Sequence, residues 1–258
     1  GKTVTTRLLD LPVHEFLPNS INELEILADE LKMTFLQVSE RCKQMAEINP
    51  MLGKRGVRLG ILLPELYKMQ VKAIIKASIS VYGKNQKEFP PEIMLPMVSS
   101  FKEVNLLKKL IDDVVAEITK EFNFPINYKL GVMVETPRAA LKAGELAVIS
   151  SFLSFGTNDL TQMTYGLSRD DSGTFMRDYL EKGIFPVDPF RSLDLDGVGE
   201  LLKIASKKSR AANPSIKIGI CGEHGGDPES IDFCKKIGLD FVSCSPFRVP
   251  IARIAAAQ

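Results

Sequence analysis

Long apolar runs, histidine, clustered cysteine and charge of one sign are all scarce in this chain, and each shortage removes a class of function. No apolar run approaches the roughly 20 residues needed to cross a bilayer, and no signal peptide opens the sequence. The 33 basic and 32 acidic side chains leave a formal charge of +1 with no basic tail or block. Neither nucleic acid nor an anionic membrane is therefore a favoured partner. Histidine occurs only at His14 and His224, which argues against a histidine-rich metal centre. The four cysteines, Cys42, Cys221, Cys234 and Cys244, are widely spaced and form no CxxC pair. Read as free thiols, they point to a reducing compartment: the cytoplasm, with an organelle left open. No glycine-rich turn follows the first strand, which counts against an open dinucleotide-binding sheet.

What the chain has in quantity is alternation of short apolar runs with amphipathic helices. Its 258 residues, 45% hydrophobic and 25% charged, suffice for one large core. Strands are expected over residues 4–9, 92–98, 130–135, 152–156, 217–222 and 241–244. Helices are expected from Ile21 and Phe35, each behind a capping-box pattern (Ser20 with Glu23, Thr34 with Gln37). Further helices are expected from Pro64 to Tyr82, after Ser100, from Arg138 to Ile149, from Gly197 to Ala212, after Asp227-Pro228, and from Val249 to Ala257. In the helix after Ser100, Val104, Leu107, Ile111, Val115 and Ile118 fall on one stripe. The stretch Gly166 to Leu195, rich in Gly, Asp and Pro, reads as a loop with a short helix. Continuously apolar strands alternating with helices predict a parallel α/β fold buried on both faces. Polar residues gather at the C-terminal strand ends, as in a (β/α)8 TIM-type barrel. Six strands are two short of eight, so the expectation is one barrel domain over 1–258 lacking its first two β/α units, as part of a larger enzyme. An open doubly wound sheet is the alternative.

The candidate site is built around Ser154-Phe155-Gly156-Thr157-Asn158-Asp159-Leu160-Thr161-Gln162. An apolar strand stops at Gly156, and small polar residues follow before the next expected helix. The run Leu130 to Val134 likewise ends in an acid, Glu135. If the two strands are neighbours, Glu135 and Asp159 share one space, and two hard oxygen donors suit Mg2+ or Mn2+. The plainer reading has Asp159 capping a helix and Glu135 paired with an arginine. The cations around Lys54, Arg55 and Arg58, taken alone, are a solvated face.

Several segments in order resemble the C-terminal, phosphoenolpyruvate/pyruvate-binding domain of the PEP-utilising phosphotransferases. They are Asn49-Pro50-Met51-Leu52-Gly53 with Arg55-Gly56, Val134-Glu135 with Pro137-Arg138, Gly156-Thr157-Asn158-Asp159-Leu160-Thr161-Gln162, and Cys221-Gly222-Glu223. Within that family, Leu8-Leu9-Asp10 through Phe16, Cys221 through Pro228, and Ser243 through Arg248 look like the dikinase branch. They look less like the synthase branch or Enzyme I of the sugar phosphotransferase system, which remain alternatives. Lys54 departs from the family, where histidine or tryptophan is usual.

The resemblance implies a reversible half-reaction, phosphohistidine plus pyruvate giving phosphoenolpyruvate plus histidine. In the whole enzyme it would be coupled to ATP, phosphate, AMP and diphosphate. By the same resemblance, Glu135 and Asp159 would hold Mg2+, and Arg7 and Arg55 would grip the transferred phosphoryl group. Gly156, Thr157, Asn158 and Asp159 would meet the substrate carboxylate, and Cys221 would move the proton at the methyl carbon. Partners implied are the phosphohistidine domain of the same polypeptide and a second subunit in a homodimer, and the chain alone is expected to be inactive. A bare dimerisation module is the non-enzymatic alternative. Both histidines are read as local hydrogen-bonding residues.

Overall fold

Alternate residues of each strand serve two different environments, and this alternation shapes the molecule. In the computed structural model, which describes residues 3–258, six strands form one sheet: β1 (Thr5–Arg7), β2 (Glu92–Leu95), β3 (Lys129–Val134), β4 (Phe152–Gly156), β5 (Lys217–Cys221) and β6 (Phe241–Val242). They lie side by side in chain order, and every pairing is parallel. The first two residues of the 1–258 span lie outside the described residues.

Leu130, Val132 and Val134 of β3 join Leu153, Phe155, Ile218 and Ile220 in the main core, against the helices. The intervening residues face the other way, where Met94, Met133 and Phe152 pack together with Cys221. This second face is small and concave. In a flat sheet the ends of β1 and β4 would stand about 14 Å apart, three strand spacings of about 4.8 Å. Instead, carboxylate oxygens of Asp10, Glu135 and Asp159 lie within 4.8 Å of one another. The sheet is therefore curled, a six-stranded half-barrel with its C-terminal strand ends drawn together.

The helices form where their caps and stripes place them. Both expected capping boxes are present, opening Ile21–Leu31 and Phe35–Met45. Ser100 opens a third box, before Phe101–Phe122. The stripe expected on that helix is buried in the main core. Pro64–Tyr82, Val198–Ala212, Pro228–Lys236 and Val249–Ala257 follow the expected bounds within a residue.

Three expectations are corrected. The helix expected over Arg138–Ile149 is two, Pro137–Leu141 and Ala143–Ile149, with Lys142 off-helix between them. At that break Gly144 lies so close to the helix Val198–Ala212 that an added Cβ would stand 3.1 Å from the Lys208 carbonyl oxygen. β1 and β6 are shorter than expected because they are sheet edges, each with one partner to hold it, and β2 ends at Leu95 and not Val98 because Pro96 offers no N–H and Met97 takes a left-handed backbone. Most consequentially, the polar run after β4 is not a turn before a helix. It is the first turn of the helix Thr157–Tyr165. Asp159 suits that place because negative charge is favoured near a helix N-terminus.

Candidate active site at the C-terminal strand ends

The site begins with a buried guanidinium. Arg55 is only 4% exposed and lies between two acids from opposite sides of the curled sheet. Its Nη2 donates to Asp10 Oδ2 at 2.6 Å, and its Nη1 to Asp159 Oδ1 at 2.9 Å. Nη2 also reaches Asp159 Oδ2 at 3.2 Å, and Nε donates to Asp10 Oδ1 and the Asp10 carbonyl, both at 3.3 Å. A planar fork of donors suits this bridging, which a lysine could not reproduce. Burial opposes the charge, but the two acids outweigh it and hold Arg55 firmly protonated. Arg7, at the end of β1, is half exposed and approaches Asp10 at 3.8 Å.

Glu135 is the third acid. It is 1% exposed and accepts from the backbone N–H of Met97. Burial, then the neighbouring Asp10 and Asp159, push its carboxyl well above the ordinary range. Met97 holds a φ of 55°, the left-handed region that costs a residue with a side chain. That strain turns its N–H toward the carboxylate. Three carboxylates with one guanidinium wedged among them leave excess negative charge in a buried space. Hard oxygen donors in that arrangement fit a small divalent cation.

Gly156 has an ordinary φ of −89°. Its value is room: a Cβ there would stand 2.6 Å from Glu135 Oε2 and 3.0 Å from Met133 Sδ. Thr157, Asn158 and Asp159 then open their helix with N–H groups that have no intrahelical acceptor, a natural anion cradle. Asn158 Oδ1 is buried without a hydrogen-bond partner among the described residues. Gly222, at φ 88°, lies against that amide.

Cys221 ends β5, with Gly156 as its pairing partner on β4. Its Sγ lies 3.3 Å from the Phe155 carbonyl oxygen and 3.5 Å from Met133 Sδ. Burial pushes the thiol up to about 11. Desolvation disfavours the thiolate and outweighs Ser154 and Arg7, which favour it.

Over residues 1–258 the chain matches the profile of the PEP-utilising enzymes, PEP-binding domain. The chain belongs to this family. It is 48% identical over 258 residues to "Pyruvate, phosphate dikinase" of Clostridium symbiosum, covering all of this chain and 30% of that protein. It is 52% identical over 262 residues to "Pyruvate, phosphate dikinase, chloroplastic" of Mesembryanthemum crystallinum, covering 100% of this chain and 27% of the relative. The match to "Pyruvate, phosphate dikinase" of Rickettsia prowazekii is 49% over 258 residues, 100% of this chain and 29% of the relative. The chain therefore spans less than a third of the length of these relatives.

In this PEP-binding domain the structure brings Arg55, Glu135, Gly156, Thr157, Asn158, Asp159 and Cys221 to one rim, with Arg7 at its open side. Asp10 was missed as a site residue, although it too is an acid just beyond a strand, the pattern that drew attention to Glu135 and Asp159. Met97 carried no such signal, since its role lies in its backbone. Tyr67, fully buried, donates from its hydroxyl to the Leu9 carbonyl at 2.9 Å and braces the segment bearing Asp10. Lys54 is exposed at the rim, its N–H donating to the Glu47 carboxylate at 3.0 Å. His14 faces Glu15 across 3.4 Å. All four cysteines are free.

Proposed function

We propose that this domain binds phosphoenolpyruvate and pyruvate and carries the half-reaction in which a phosphoryl group passes between a phosphohistidine and pyruvate. The observation that carries the reading is the convergence of Asp10, Glu135 and Asp159, bridged by Arg55, beside the N-terminus of Thr157–Tyr165. That pairing offers a divalent-cation seat next to an anion cradle, the two needs of a carboxylated enolate. Glu135 and Asp159 would hold Mg2+ or Mn2+, and Asp10 completes the acidic set. Such an ion acts as a Lewis acid that stabilises the enolate oxygen.

The chain's own residues divide the remaining work. The N–H groups of Thr157, Asn158 and Asp159 orient the substrate carboxylate, and Gly156 keeps Glu135 in place. Arg55 is committed to Asp10 and Asp159, so the first contact with an incoming phosphoryl group falls to the half-exposed Arg7. Neutralising equatorial phosphoryl oxygens is arginine work in such transfers. Cys221, whose raised pKa keeps its proton at neutral pH, is suited to deliver that proton to the methylene carbon of enolpyruvate. The phosphohistidine would come from another domain of the same polypeptide, with ATP, phosphate, AMP and diphosphate handled there, as in the dikinases the chain resembles. The sheet would be completed to a (β/α)8 barrel by two further units, and the whole protein would act as a homodimer in a reducing compartment. No described helix is long and apolar enough to cross a membrane.

The test is titration with Mn2+, followed by oxalate, a planar mimic of enolpyruvate. Wild-type protein should bind oxalate only with the metal present. Asp159→Asn and Glu135→Gln should each weaken both. Metal affinity unchanged in the two variants would overturn the assignment.

A further inference from the structure

Of two histidines in the chain, one is wholly buried, and nothing in the proposed chemistry uses it. His224 is 0% exposed, in the turn Glu223–Gly226 just beyond Cys221. Its Nε2 lies 2.9 Å from the Pro189 carbonyl oxygen, and its Nδ1 lies 2.7 Å from Thr157 Oγ1. A carbonyl can only accept, so Nε2 carries a hydrogen. Burial lowers the pKa of the ring, and the neutral imidazole then accepts at Nδ1 from the Thr157 hydroxyl.

Thr157 stands where two functional elements meet. Its backbone N–H belongs to the anion cradle, whereas its side chain turns inward. Oγ1 lies 3.2 Å from the carbonyl oxygen of Cys221. The contacts run Pro189, His224, Thr157, Cys221. They join the loop after Gly183, the start of the helix Thr157–Tyr165 and the end of β5. The hydroxyl has one hydrogen, and the shorter contact, to Nδ1, takes it. With that bond made, the Thr157 rotamer is fixed, and Oγ1 meets the Cys221 carbonyl oxygen 3.2 Å away by packing, with no hydrogen between them, so the rotamer sets how closely the helix start approaches the end of β5.

We propose that His224 is a positioning residue for Cys221: through the Thr157 hydroxyl it sets the distance between the bound substrate's methyl carbon and the thiol. This rests on the reading of Cys221 as the proton donor. Misplacement of about 1 Å can cost on the order of 10²-fold in rate without loss of binding. A purely structural histidine would instead lower stability or weaken substrate and mimic binding together.

Two side chains separate the two ring nitrogens. Glutamine at 224 can place its amide nitrogen near the Nε2 position and keep the Pro189 contact. Asparagine can place a polar atom near the Nδ1 position and keep the Thr157 contact. Thr157→Val is nearly isosteric, keeps the backbone N–H and removes the hydroxyl.

The experiment measures metal-dependent exchange of pyruvate methyl protons with D2O in the intact protein, alongside oxalate affinity and Tm. His224→Gln should slow exchange at least about tenfold with oxalate affinity nearly unchanged, and Thr157→Val should slow exchange at least about tenfold as well. The double variant should be no slower than the slower single one, because both remove the same contact. His224→Asn should stay within about threefold of wild type. Exchange at the wild-type rate in His224→Gln and Thr157→Val, with Cys221→Ala inactive, overturns the positioning role alone. Loss of exchange only in proportion to oxalate affinity or Tm assigns His224 to structure and also overturns it. Wild-type exchange in Cys221→Ala removes the proton donor itself, and both readings fall.

Discussion

The α-carbon of Gly156 faces the Glu135 carboxylate so closely that a methyl group on it would stand 2.6 Å from Oε2. Two acidic strand ends can share one space because the residue between them has no side chain. Gly156→Ala should displace Glu135 from its place beside Asp159. The expected result is weakened Mn2+ affinity with the helix content unchanged, read by titration and circular dichroism. Unaltered Mn2+ affinity in a folded Gly156→Ala protein would show that Glu135 does not need this space.

The raised pKa of Glu135 has a sign that can be checked. Its folded value lies above the ordinary 4.5, so the folded state binds more protons than the unfolded state above that pH. Its contribution to stability is therefore fully present at low pH and is lost as pH rises through the folded pKa. His224, whose pKa is lowered, works in the opposite direction below its ordinary 6.5, so wild type alone is a mixed signal. The difference between wild type and Glu135→Gln isolates the glutamate. Without metal, the variant should gain in relative Tm as pH climbs above 4.5. A pH-independent difference would contradict the buried, acid-crowded carboxyl.

Arg55 counters the charge of Asp10 and Asp159, and removing it leaves buried acids facing each other. Breaking such a buried pair costs about 3–5 kcal/mol. Arg55→Met should be destabilised on that scale in metal-free buffer, measured by urea unfolding. Added Mg2+ should restore part of the loss, because the same oxygens would bind it. No recovery with Mg2+ would argue against the acids as its ligands.

Cys221→Ala tests the proton transfer directly. In the intact protein it should abolish exchange of pyruvate methyl protons while leaving oxalate binding within about twofold, since the acid acts on carbon and not on the carboxylate. The nucleotide half-reaction, proposed to lie on another domain, should survive. Because burial holds the thiol up to about 11, alkylation of Cys221 by iodoacetamide should be slow at pH 7 and quicken above pH 9. Rapid alkylation at pH 7 would contradict the protonated, buried thiol.

Much of this arrangement was legible from local pattern. The stripe Val104, Leu107, Ile111, Val115, Ile118 lies in the core because helical periodicity leaves no other face for it. Ser20, Thr34 and Ser100 cap helices because their hydroxyls and the acid or amide three residues on satisfy the first N–H groups. Glu135 and Asp159 were legible as a pair because each acid follows an apolar strand. Asp10 follows a strand too, but that strand is Thr5–Arg7, polar, short and at the sheet edge, and Leu8 and Leu9 gave only half an apolar run.

The sequence alone determined the order of strands and helices, the parallel sheet, the outward apolar face and the pairing of Glu135 with Asp159 as acids at strand ends. All of these follow from side-chain periodicity and the chemistry of strand ends. Tertiary structure decided the rest. The curl of the sheet set Arg55 between acids more than forty and a hundred residues away. Packing gave Met97 its left-handed backbone, made Gly156 a space for Glu135, and buried Cys221 so that its thiol keeps its proton. It also closed the chain of contacts from Pro189 through His224 to Thr157. These depend on distances across elements remote in the chain, and on solvent excluded by all of them together, which no local pattern encodes.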